Sequence, residues 1–138
     1  MPIFLPPALI QAVRAIQIQA VHYEPEVVEL AGTLIRKTFP GPPDFVFDKA
    51  SRPERCWILK LDTPISVTPS TSSDDFNSDA FDQITEVQLV LTTDALIAHP
   101  RRIEGGKHLV LTGTLFESHT GHHHTQVLIT VRSLRVVN

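Results

Sequence analysis

Apolar and polar residues alternate with a period of two over five stretches of this chain, and each alternation predicts a strand with one buried face. In Glu26 to Phe39, Val28, Leu30 and Leu34 share one face, and Glu29, Thr33 and Ile35 share the other. In Arg55 to Val67, Trp57, Leu59 and Leu61 alternate with Ile58, Lys60 and Asp62. In Ile84 to Leu91, Val87, Leu89 and Leu91 stand opposite Glu86 and Gln88. His108 to Phe116 and Gln126 to Leu134 are the last two, both rich in β-branched and aliphatic residues. Trp57, Leu59, Leu61, Leu89, Leu111 and Val127 are the expected core.

The breaks between these stretches are equally legible. Pro40, Pro42 and Pro43 cannot continue a central strand and force a loop running through to Arg55, and Pro64 marks the far part of the second strand as an edge or a kink. Thr68 to Asp82 is a Ser/Asp-rich solvated loop. Its carboxylates would suit calcium, but the ordered spacing of an EF-hand is missing. Thr92 or Thr93 caps a short predicted helix over Asp94 to Ala98, which Pro100 ends. Gly121 lies in the last hairpin turn, which is too long for a two-residue type.

Residues 1–22 form a separate segment, read as an N-terminal helix or a degraded export signal ahead of a single domain over residues 23–138. Leu9, Val13, Ile16 and Ala20 recur at helical spacing after Pro7, although Ile16 to Gln19 also fits alternation.

Two strands echo one another. Val28 to Ile35 reads VELAGTLI and Leu109 to Phe116 reads LVLTGTLF, with a glycine at the same depth in each. Sharply bent strands of a small barrel need such glycines. Three strands, a short helix and two more strands follow the order of an OB-fold, so the expected class is all-β: a five-stranded OB-fold-like Greek-key barrel with one or two short helices, with a β-sandwich, for which five strands are few, as the alternative. In that fold the loops after the first and fourth strands flank one binding face. Here those loops are FPGPPDF and SHTGHHHT.

Composition narrows the function. The net charge of −3 and the single Trp and Tyr argue against a nucleic-acid binder. No apolar run approaches a membrane span. Cys56 is the one cysteine, so no disulfide can form within the chain, and it reads as a small buried hydrophobe.

The candidate chemistry lies in the last turn, which holds four of the seven histidines: His119, His122, His123 and His124. Imidazole suits zinc and other transition metals. His122 and His124 are two apart and face the same way in extended chain, His119 is near enough to join them, and His123 points away. Glu117 or Asp44 would add a carboxylate. The spacing matches no zinc signature, and Thr and His side chains at a hairpin tip also close turns by hydrogen bonding to backbone. An acid–base role for one histidine is the third reading. The sequence shows no nucleophile elbow, no Gly-rich phosphate loop and no paired carboxylates flanking a cleft.

YEPEVVELAGTLIRKTFPGPPDF, WILKLDTPI and LTGTLFESHTGHHHTQVLI resemble a bacterial family of small, usually exported domains of unknown function, over roughly Tyr23 to Leu134. The resemblance implies a periplasmic or secreted protein. The chain departs from that family's cysteine pattern at places holding residues such as Val21 and Ser66. The shared motifs mark a joint site at Phe39, Pro40, Gly41, Pro42, Pro43, His119, Gly121, His122, His123 and His124. The expected ligand-binding residues are Phe39, Pro40, Gly41, Pro42, Pro43, Phe45, His119, Gly121 and His123, and the candidate metal ligands are His119, His122 and His124. The expected function is a non-catalytic binding module for a protein or small ligand, inhibitor or immunity-type proteins included. The alternative is a zinc or other transition-metal protein, or a metal-dependent enzyme, built on the histidine turn.

Overall fold

The computed structural model describes residues 18–47, 49, 51–70, 77–92 and 105–137. Among them are six strands and no helix: β1 (Gln19–His22), β2 (Val27–Phe39), β3 (Glu54–Thr68), β4 (Phe81–Leu91), β5 (His108–Glu117) and β6 (Val127–Val136). The all-β expectation holds, and the five alternating stretches correspond to β2 through β6. The predicted helix over 94–98 lies outside the described residues, as do residues 1–17.

All six strands belong to one sheet, ordered β1-β3-β2-β5-β6-β4. Because β3 also pairs with β4, the pairings run β2–β3–β4–β6–β5 and return to β2. The pairs are antiparallel except β4 with β6 and β1 with β3. The first and fourth alternating stretches pair directly, as β2 with β5.

β1 corrects the sequence reading. Helical spacing was expected to run through Ala20, yet Gln19–His22 is a strand parallel to Ile65–Thr68 of β3. The reason lies in β2. Its second half pairs with β3 and its first half with β5, and Gly32 pairs with both. The far half of β3 therefore has an edge that β2 leaves, and β1 covers it, turning Val21 into the core. Pro64 sits where the β3–β4 register shifts, which fits its expected place at a kink.

Leu59, Leu111 and Val127 are fully buried, Leu89 nearly so, and Trp57 and Leu61 pack half-buried against the same core. The echo between β2 and β5 has a physical basis. A Cβ on Gly32 would stand 2.2 Å from the Lys60 carbonyl oxygen, and one on Gly113 would stand 2.1 Å from that of Thr130. Each glycine lets a neighbouring strand's backbone close in. The two echo strands also pair with each other, with Gly32 opposite Leu109, Gly113 opposite Val28, and the equivalent residues Leu30 and Leu111 directly facing.

Candidate functional site where two loops meet

Strand alternation also builds an outer face. Ile35, Ile58, Gln88 and Leu128 lie side by side across β2, β3, β4 and β6. Ile58 and Leu128 are fully buried and Gln88 is 7 % exposed, although the inner core lies on the opposite side of the strands. The turn between β5 and β6 folds over Gln88. The Gln88 side-chain amide donates to the His122 carbonyl at 3.0 Å, and its oxygen accepts the His124 N–H at 2.7 Å. The Gln88 main-chain N–H donates to Thr125 Oγ1 at 2.9 Å. One buried side chain thus fixes the path of the histidine turn.

The turn closes on itself as well. Ser118 N–H donates to the Gln126 carbonyl at 3.0 Å, His123 N–H to the Thr120 carbonyl at 3.1 Å, and His122 N–H to Thr120 Oγ1 at 3.2 Å. His119 N–H donates to His123 Nδ1 at 3.1 Å.

The proline loop meets this turn. Phe39, the last residue of β2, stacks on His124 with ring centroids 4.2 Å apart and planes within 2°. Phe45, whose φ of 54° is left-handed, sets its ring edge-on to His122 at 5.3 Å. A Cβ on Gly121 would lie 2.8 Å from the Phe45 ring, so the glycine is what lets the ring seat. Within the loop, Gly41 is buried and its carbonyl accepts the Phe45 N–H at 2.8 Å, while the Pro42 carbonyl accepts the Arg52 N–H at 2.8 Å. Pro40 is half-buried; Pro42 and Pro43 are exposed.

The four histidines divide into two pairs. His122 Nδ1 and His124 Nε2 converge on the Glu54 carboxylate, the latter at 2.9 Å. His119 and His123 instead pack against each other, centroids 4.7 Å apart, and both contact Phe116. The expected metal set of His119, His122 and His124 is not brought together, because the His119 ring turns to Phe116 and His123. Neither Glu117 nor Asp44 supplies the carboxylate. The Glu117 side chain accepts the Asp79 N–H at 3.4 Å, and Asp44 is exposed.

Among the described residues, the group whose donor atoms could share one ion is Glu54, Cys56 and His124, all within 4.8 Å of one another. Nothing in the sequence pattern marks Glu54 or Gln88 as functional, and Cys56 has the setting of a small buried hydrophobe. The available signal was that Glu54 and Cys56, two apart ahead of Trp57, share a strand face.

The electrostatics follow from these contacts. Burial pushes the Glu54 carboxyl upward, but hydrogen bonds from His124 and His122, together with the charges of the two rings, outweigh it and hold the group below its ordinary 4.5. Burial, aided by the Glu54 charge, raises the Cys56 thiol against the opposing effect of Arg36. Burial lowers His123, and the neighbouring histidines add to this.

Residues 86–135 match the profile of a family described as Domain of unknown function (DUF4431). The matched span holds Gln88 and the whole histidine turn, but neither Glu54 nor Cys56. No curated protein and no solved structure matches the chain. Among the described residues, no helix is long and apolar enough to cross a membrane.

Proposed function

We propose that this chain is a non-catalytic binding module on an OB-like barrel, extended by β1, and that it recognises a protein segment at the rim where the proline loop joins the histidine turn. The return of the strand pairings to β2, with β4 parallel to β6, supports the OB reading. The observation that carries the binding reading is the apolar surface of the proline loop. Phe47 is 73 % exposed and Val46 48 %, and they border a concavity of about 260 Å³ completed by Pro40, Lys49, Ser51 and Pro53. The loop behind them is pinned by its main-chain hydrogen bonds and by Phe45 on Gly121. A preformed apolar rim with an aromatic anchor loses little freedom when a partner docks.

Panning a displayed peptide library against the purified chain tests this. Selected peptides are expected to bind the parent and to weaken by about tenfold or more on Phe47→Asp, a loss suited to an interface anchor. No enrichment, or enrichment indifferent to Phe47→Asp, overturns it. By its resemblance to an exported family, the module is expected to work in the periplasm or outside the cell.

Transition-metal binding is the second reading, favoured by the convergence of Glu54, Cys56 and His124.

A further inference from the structure

We propose that Glu54, Cys56 and His124 form a binding site for one divalent transition-metal ion of borderline softness, zinc foremost. The site shares His124, but not His119, with the histidine trio that the sequence suggests; it rests on the second reading above and is independent of protein recognition at the Phe47 rim.

The donor set comes first. A thiolate, an imidazole and a carboxylate are the three ligand types that zinc accepts together. With Cys56 deprotonated they carry two negative charges, which balance a divalent ion. As the ion arrives, the Cys56 thiol releases its proton to solvent and no electron changes hands.

The geometry is built rather than accidental. Glu54 and Cys56 share the outer face of β3, two residues apart, and His124 reaches them from a turn 70 residues beyond Glu54. The His124 side chain is 9 % exposed. Its main chain is held by Gln88 and its ring by the parallel Phe39 ring, so both position and plane are set before any ion binds. Lys37, opposite Cys56 in the register, carries its ammonium away to Glu86 at 2.8 Å and leaves the thiol face clear of that cation.

Donor atoms around tetrahedral zinc stand roughly 3.3–3.8 Å apart, given bond lengths of about 2.0–2.3 Å. The present limit of 4.8 Å therefore closes by about an ångström of side-chain rotation. The Glu54 contacts with His122 and His124 are the arrangement that the ion would replace. His122, exposed and already bonded to the Glu54 carboxylate, would supply a fourth donor on exchanging that bond for the ion; otherwise water does.

Cobalt(II) titration of the full chain, untagged and reduced, tests the site. One equivalent is expected to produce thiolate-to-cobalt charge-transfer absorption, which zinc then removes. Cys56→Ser should abolish that band. His124→Gln should weaken binding by at least the roughly 10–100-fold that even outer partners of metal ligands carry. His119→Gln should leave it unchanged. Absence of the band in the parent, its persistence in Cys56→Ser, or its loss in His119→Gln overturns the proposal. Should a variant fail to fold, the parent decides alone: Cys56 is the only thiol. Zinc is then expected to slow its alkylation by iodoacetamide, and an unchanged rate overturns the site.

Discussion

His124 donates its main-chain N–H to the side-chain oxygen of Gln88 at 2.7 Å, across 36 residues of sequence. The same side chain donates to the His122 carbonyl. Gln88 therefore satisfies two polar groups of the turn while being itself almost wholly buried. Gln88→Ala would leave both without that partner, at a cost of about 1–3 kcal/mol. Denaturant melts measure the loss, and hydrogen exchange at the His124 amide should quicken. An unchanged exchange rate there would show that the turn holds its path without Gln88.

Gly32→Ala and Gly113→Ala should be damaging to a similar degree. Each added methyl meets a carbonyl oxygen of a paired strand at close to 2 Å, and backbone cannot step aside as a flexible side chain does. Overpacking of this kind costs about 1–3 kcal/mol or more. Thermal melts of the two variants test the equivalence of the echo strands. A mild effect at one glycine and a severe one at the other would break it.

Leu59→Ala and Leu111→Ala should each lose about 2–5 kcal/mol, because both side chains are fully buried in the main core. Urea unfolding supplies the measurement, and a loss below about 1 kcal/mol would contradict the assigned faces.

Glu117 gives a pH dependence. Burial raises its carboxyl above the ordinary 4.5, and a side-chain hydrogen bond with the Asp79 carboxyl raises it further, against the lowering effect of the Asp79 N–H. A carboxyl whose folded pKa exceeds its unfolded value binds its proton more tightly when folded. Its contribution therefore favours folding below the unfolded pKa and is lost as pH rises from 4.5 through the higher folded value. Glu117→Gln should remove that fall and leave the protein more stable than the parent at neutral pH. Unfolding midpoints of both proteins from about pH 4 to 7 check the sign. A variant that is less stable than the parent at pH 7 would refute it.

The five long strands were legible from the sequence because their signal is local. Each carries several turns of a two-residue alternation, and inward residues such as Leu59 and Leu111 follow from parity alone. β1 was not, since four residues turn only Val21 inward, and a helical pattern overlaps them. The need for β1 arises elsewhere, where β2 leaves β3 at Gly32 and exposes an edge. The meeting of the proline loop with the histidine turn was likewise foreseeable from strand order. His122 and His124, two apart, do face the same carboxylate. Which carboxylate it is, and that Cys56 stands beside it, depended on the register of β3 against β2 and on the fold of the turn over Gln88. Spacing along a chain determines which side chains share a face. Only the closing of strands distant in sequence decides which faces meet, and so His124 lies against Glu54 while His119 turns to Phe116.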